Sequence, residues 1–233
     1  MCGRYVRTLR SLDYVEPLMT DEGDPRLRNI RPAEEELPPS WNIAPSQEEV
    51  IMGYHDGEAM WAKLEWGYRP KWSTDGPRQI NARSETADSK PYFRDAWKYR
   101  RVLLPADGWY EWQKVGGKKV PYFIYPADKT PMFFAGLADG NSGFCILTRE
   151  PAGALAEIHD RCPVVLQGEG AIQWLSCGKT KEAPRAVLDQ HTVPDEAFAW
   201  HQVGPTVGSP FNNGPGLVDP FQDPRERSGP EPD

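Results

Sequence analysis

Cys2 follows the initiator Met1, so removal of Met1 leaves an α-amine and a thiol on one residue, a 1,2-aminothiol. An aldehyde that meets this pair condenses with the amine to an imine, and the sulfur then closes a five-membered thiazolidine ring. A cysteine elsewhere in a chain lacks the adjacent amine. The unperturbed pKa of the amine is about 8 and that of the thiol about 8.5, so both nucleophilic forms are within reach near neutral pH. Glu111 is the second candidate. It lies inside Gly108-Trp109-Tyr110-Glu111-Trp112, where partial desolvation raises a carboxyl toward the range useful for proton transfer; the alternative is an edge-strand glutamate facing water. His159, in Ile158-His159-Asp160-Arg161-Cys162-Pro163, stands at an element junction, where functional side chains are often displayed but where a lone imidazole is also commonly structural. Asn81 and Arg83 precede a helix start at Ser84 in Gln79-Ile80-Asn81-Ala82-Arg83-Ser84-Glu85-Thr86. An Arg beside a helix N-terminus suits phosphate; a capped turn with a surface salt bridge is the other reading.

The elements that position these residues are mostly β. A short helix is expected over residues 12–18, then an acidic, Pro-broken loop over 21–40. Residues 49–55 and 59–66 read as strands joined by an Asp56-Gly57 hairpin turn. Further strands are expected over 101–105, 108–112, 122–125, 133–137 and 143–148, and helices over 84–98 (interrupted at Pro91), 152–159 and 170–175. On the strand that carries it, Glu111 shares a face with Trp109 and Gln113, and Tyr110 and Trp112 point to the other. Short strands linked by hairpins, with interspersed helices, predict an α+β domain around a strongly curved antiparallel sheet or barrel-like core with flanking helices. The domain is expected to span residues 1–217 and a polar, acidic, disordered tail residues 218–233.

Composition narrows the setting without naming the chemistry. A hydrophobic content of 39% with 24 Pro and 21 Gly implies many turns and irregular segments. Nine Trp and nine Tyr serve packing, and their flat faces also stack nucleobases. The four cysteines at 2, 145, 162 and 177 contain no CxxC pair and no matched His spacing, so neither a structural zinc nor a redox dithiol is expected, and no metal or other cofactor. A reducing cytosol suits them. The start resembles no export leader and no run of apolar residues is long enough to span a bilayer, which predicts a cytoplasmic protein. The net charge of −7 is concentrated at 13–36 and 207–233, leaving a nearly neutral body that can present a basic cleft to DNA or RNA.

Taken together, these segments resemble the SRAP family, the SOS response-associated peptidases now described as abasic-site processing proteins. The resemblance rests on six ordered blocks: Met1-Cys2-Gly3-Arg4-Tyr5, Trp41-Asn42-Ile43-Ala44-Pro45, Trp66-Gly67-Tyr68, Ile80-Asn81-Ala82-Arg83-Ser84-Glu85-Thr86, Pro105-Ala106-Asp107-Gly108-Trp109-Tyr110-Glu111-Trp112, and His159-Asp160-Arg161 before Pro163. It implies the SRAP fold and covalent trapping of abasic sites in single-stranded DNA through Cys2, in the DNA damage response. Asn81, Glu111 and His159 are carried over as active-site residues. Arg4, Arg83 and Arg161 are carried over as residues that hold phosphates or the lesion, and Pro45 and Trp66 as the region where the strand is wedged and stacked. The chain departs from the family pattern at Val102, where relatives often have Cys, and at Cys162, where Met is common. An imine intermediate also permits weak strand cleavage by β-elimination. The peptidase label implies self-removal of the residue before Cys2, a task that methionine aminopeptidase also performs.

The expectation is therefore a monomeric enzyme with a single-stranded DNA partner and no membrane or metal. Two other classes stay open. An N-terminal-nucleophile amidohydrolase can also begin Met-Cys-Gly, with the thiol attacking an amide and the α-amine acting as base; no clear oxyanion-hole Asn-Gly or substrate-binding Arg arrangement follows here. A non-catalytic single-strand reader would use the aromatics alone.

Overall fold

Alternating side chains along the strands feed two different cores. In β6 (Arg101–Ala106), Val102 and Leu104 enter one cluster with Tyr5, Trp109 and Phe134, whereas Leu103 enters another with Trp97 and Trp174. The same division runs along β9 (Met132–Ala138), with Met132 and Phe134 on one side and Phe133, Ala135 and Leu137 on the other. The computed structural model describes residues 2–19, 24–27, 30, 33, 36–140 and 143–222.

One sheet has the order β13 (Phe198–Gln202), β8 (Lys118–Pro126), β7 (Gly108–Val115), β1 (Tyr5–Arg7), β2 (Ser40–Ile43). The other has the order β11 (Cys162–Pro163), β10 (Phe144–Arg149), β9, β6, β3 (Glu48–His55), β4 (Glu58–Glu65), with β12 (Val165–Leu166) on β9 and β5 (Asn81–Arg83) on β10. Pairing is antiparallel except for β5 with β10, which is parallel. The fold is α+β as expected, but the barrel does not close: the two sheets keep separate edges and share the core that contains Cys2, Trp66, Trp109 and Phe134.

The far side of the second sheet is covered by α1 (Ser11–Val15), α2 (Ser84–Ala87), α3 (Arg94–Tyr99), α4 (Gly168–Ser176) and α5 (Glu182–His191). Arg101 ties two of their ends together. Its buried guanidinium donates to the carbonyls of Trp97, Lys98, Trp174 and Cys177, where helix C-termini present unpaired acceptors. The outer face of the first sheet packs Val6, Tyr110 and Phe123 against Val203, Val207 and Val218.

The predicted strands and their hairpin fall where the pattern placed them; Asp56 and Gly57 both adopt positive φ, as a two-residue hairpin turn requires. The segment at 152–159 forms a 3-10 turn, Gly153–Glu157, in place of a helix. α5 lies where no helix is expected from the sequence; its Pro184 is tolerated because in the first helical turn no N–H donor is needed. The chain stays packed beyond the expected boundary at 217: His201 Nε2 bonds the Val218 carbonyl at 2.7 Å, and the Phe221 amide donates to Gln202 at 2.8 Å. The rest of the expected tail, 223–233, and part of the acidic loop lie outside the described residues. No helix among the described residues is long and apolar enough to cross a membrane.

A buried ion pair joins the two sheets. Arg7 on β1 donates through Nε to Glu49 on β3 at 2.8 Å, and its other nitrogens reach the Leu37 and Pro38 carbonyls. Removing one partner strands a charge in the interior, whereas removing both does not. Arg7→Met is therefore expected to cost about 3–5 kcal/mol, and Arg7→Met/Glu49→Leu to recover more than half of it, as read by urea denaturation. Equal losses in the single and double variants would rule out the interdependence.

Candidate active site

β1 is only three residues long, yet it is paired on both sides: Tyr5 lies opposite Ile43 of β2 and opposite Trp109 of β7. The Tyr110 amide donates to the Arg4 carbonyl at 3.0 Å, which carries the β1–β7 register outward and brings Gly3 level with Glu111. Cys2 lies one residue further, fully buried. Asn81 reaches it from the parallel strand β5, donating through Nδ2 to the Cys2 carbonyl at 2.8 Å. Asn81 Oδ1 is buried and has no hydrogen-bond partner among the described residues.

Glu111 is buried with its carboxylate 3.8 Å from His159 Nε2. Burial pushes the Glu111 carboxyl up to about 8, with the positive amino terminus pulling the other way. Burial and the same positive terminus push the His159 imidazolium below its usual value, while Asp160 opposes them. The Cys2 thiol is raised by burial and then by Glu111. The Arg161 amide donates to His159 Nδ1 at 3.0 Å, which leaves the neutral ring its proton on Nε2, directed at Glu111. Asp160 Oδ1, 2.9 Å from the same Nδ1, becomes its partner when the ring is charged. The geometry thus collects a sulfur, a carboxyl kept protonated near neutrality and an imidazole kept neutral.

Glu111 and His159 open onto a cleft of about 530 Å³ whose walls are Trp112, Lys114 and Lys119 on one side and the Gly153–Glu157 turn with Asp160 on the other. Cys2 does not line it.

The remaining expected site residues divide. Arg4 is half-buried and bonds the Gly3 and Gly208 carbonyls, and Arg83 is exposed; neither has a carboxylate partner among the described residues. Pro45 is half-buried in the turn after β2, where the Ser46 amide donates to the Trp66 carbonyl at 2.9 Å. Trp66 has no exposed surface: its N–H donates to Ile80 at 2.8 Å, and Tyr5 and Phe144 pack on its ring. The expected stacking of a base on Trp66 has no open face here. Arg161 is also committed. Both terminal nitrogens donate to the Glu85 carboxylate at 2.9 Å, and one donates to the Thr148 carbonyl at 2.6 Å, so it anchors the His159 loop to α2 and β10 and offers little to a phosphate.

Sequence reasoning missed Trp112, Lys114, Lys119 and Glu85. Strand alternation puts Trp112 on the face of Tyr110, where it packs half-buried against the cluster of Val6, Tyr110 and Phe123, and beyond Tyr110, where no strand pairs on the β1 side of β7, it also borders the cleft. Glu85 was taken only as part of a helix start. Among the described residues, no group of three or more His, Cys, Asp or Glu side chains is placed to hold a metal ion.

A family model described as SOS response associated peptidase (SRAP) matches residues 1–210. The chain belongs to the SRAP family. It is 34% identical to the abasic site processing protein YedK of Escherichia coli K12, over 94% of this chain and 100% of that protein. It is also 34% identical to the abasic site processing protein YoqW of Bacillus subtilis 168, over 94% and 99%. Among solved structures, a phage-related protein from Bordetella bronchiseptica is similar at 31% identity with a TM-score of 0.69, over 87% of this chain and 94% of that one. The six sequence blocks of this SRAP chain converge on the Cys2 end of the inter-sheet core.

The raised Glu111 pKa sets a pH dependence of stability. In the unfolded chain the group ionises near 4.5, in the folded chain near 8. Between those values the unfolded state holds fewer protons, so stability falls as pH rises from about 4.5 to 8 and levels off above. Glu111→Gln removes this loss. The variant is expected to be more stable than the parent at pH 9 by on the order of 3–5 kcal/mol, with the gap closing below about pH 4.5; denaturant titrations at both ends of the range test it. A gap independent of pH would show that the carboxyl is not held protonated.

Proposed function

We propose that this SRAP chain processes abasic sites in single-stranded DNA, by covalent capture of the lesion's aldehyde on Cys2 after loss of Met1. The observation that carries this reading is the meeting of Cys2 with a protonated Glu111 and a neutral His159, at the edge of an open cleft. The names of the relatives support it.

An abasic deoxyribose is mainly a closed hemiacetal. Glu111, protonated below about pH 8, donates a proton to the ring oxygen from one carboxyl oxygen and takes up the C1′ hydroxyl proton on the other, with the His159 Nε2–H beside it, which opens the sugar to its aldehyde. The Cys2 amine attacks C1′, and the carbinolamine oxygen takes a proton and leaves as water, giving the imine. The unpaired Asn81 Oδ1 is placed to accept an N–H of that amine. The thiol then gives up its proton, the sulfur bonds to C1′, and the imine nitrogen takes up a proton: a thiazolidine with no redox change. Ring closure removes the imine from which β-elimination would cut the strand, so lyase activity is a minor side path. Self-removal of residue 1 would use the same thiol. Arg4 and Arg83, both without carboxylate partners, serve the phosphates. Pro45 marks where the strand is turned, Trp66 holds Tyr5 and β1 from behind, and Trp112 offers the base-stacking surface worth about 1–3 kcal/mol per base. Arg161 contributes through the orientation of His159.

Cys2→Ala keeps an amine that forms an imine but cannot close the ring. The parent protein is expected to give a heat-stable band with abasic single strands and none with intact ones on a denaturing gel. The variant should give a band only after borohydride reduction. A heat-stable adduct from Cys2→Ala would refute the thiazolidine; glutamine hydrolysis without any band would identify an amidohydrolase instead. Adduct formation should also slow above about pH 8, as Glu111 loses its proton.

A further inference from the structure

The β7–β8 hairpin carries a feature outside all six sequence blocks. Lys114 of β7 and Lys119 of β8 are direct cross-strand partners. Their side chains therefore share a face of the hairpin, with Cβ atoms about 5 Å apart. Like charges in that relation destabilise a hairpin, and no carboxylate lies within ion-pair distance of either among the described residues to relieve them. Both are exposed, and both line the cleft onto which Glu111 and His159 open. Across the cleft, Glu157 and Asp160 form an acidic wall. The cleft is thus divided by charge: one wall attracts a polyanion and the other repels it.

We propose that Lys114 and Lys119 together form a phosphodiester subsite that seats the backbone of a single DNA strand against the hairpin, next to the lesion. The proposal rests on the function proposed above and adds to it a specific ligand group and an orientation. One phosphate between the two ammonium groups offsets their mutual repulsion. The acidic wall keeps the backbone from crossing the cleft, so the sugar projects from the hairpin side toward Glu111 and His159. Lys114 is close enough to His159 to help keep that imidazole neutral, and a bound phosphate weakens this effect by screening the ammonium charge.

The test is the salt dependence of binding to a short intact single strand, with adduct formation on an abasic strand measured in parallel. For Lys114→Gln/Lys119→Gln, the slope of log affinity against log salt should become shallower by about 0.7, the change for one lost phosphate. A distant pair with the same charge change, Lys98→Gln/Lys179→Gln, should leave the slope as it is. An unaltered slope in the hairpin variant overturns the proposal, and so does an equal change in the distant pair, which would assign the effect to net charge. If the parent protein forms no adduct while the hairpin variant still loses slope, the covalent reading fails and the subsite stands as a single-strand binding site. The hairpin variant loses a repulsion, so its thermal melt should match or exceed the parent's; the intact fold keeps the slope interpretable.

Discussion

The chemistry at this site depends on a strand of three residues being held from both sides. Free amino termini fray unless they are tied down, and an aminothiol on a fraying end has no fixed relation to an acid or a base. β1 avoids this because Tyr5 is paired at once with Ile43 and Trp109, and its ring packs edge-on against Trp66 and Phe134 in the inter-sheet core. The register that results also sets how far Cys2 lies from Glu111. A slip by one residue would turn Tyr5 out of the core and reverse the face on which Cys2 is presented. The buried Arg7–Glu49 pair at the other end of β1 penalises that slip further, since it would leave two charges unmatched.

Burial then does the electrostatic work. In water a glutamate loses its proton well before a histidinium does. Here desolvation moves the carboxyl up and the imidazole down, so the order is inverted and the proton resides on Glu111 while His159 is neutral. Their 3.8 Å approach is accordingly that of a protonated carboxyl and an uncharged ring, without a formal ion pair. In the proposed reaction such a carboxyl can give a proton from one oxygen and take one on the other without building net charge in a low-dielectric pocket. The same burial raises the Cys2 thiol, which in the proposed reaction favours the amine as first nucleophile and leaves the sulfur to act once an adjacent electrophilic carbon has formed.

Much of this was legible in the chain. Period-2 alternation located the main strands, Asp56-Gly57 located a hairpin, and Cys2, Asn81, Glu111 and His159 were singled out before their proximity was known. The contacts that override local pattern were not legible. α5 has no counterpart among the expected helices, and its proline is harmless because it stands in the first turn. The parallel strand β5, which delivers Asn81, is too short for any periodicity and exists because β10 offers it an edge. Alternation places Trp112 with Tyr110, where it packs, but does not reveal that it also borders the cleft, which follows from β7 losing its neighbour just beyond Tyr110. The open barrel was equally out of reach, since closure depends on which edges find each other and not on the strands themselves.

Trp66 and Arg161 expose a separate limit of motif reading. A motif records that a residue type is needed near a site, and this is compatible with touching the ligand or with holding what touches it. The decisive quantity is the number of partners already engaged. Trp66 spends its N–H on Ile80 and its ring on Tyr5 and Phe144; Arg161 spends both terminal nitrogens on Glu85 and one on Thr148 as well. To bind a phosphate, Arg161, itself nearly sealed, would have to give up its bidentate contact with the half-exposed Glu85 and its bond to the Thr148 carbonyl. Its backbone amide already governs the tautomer of His159, so its influence on the chemistry passes through geometry. Cations with no carboxylate partner among the described residues, such as Arg4, Arg83 and the lysine pair on the hairpin, carry no such loss, and so under the proposed function a chain of net negative charge can still present local positive charge to a polyanion.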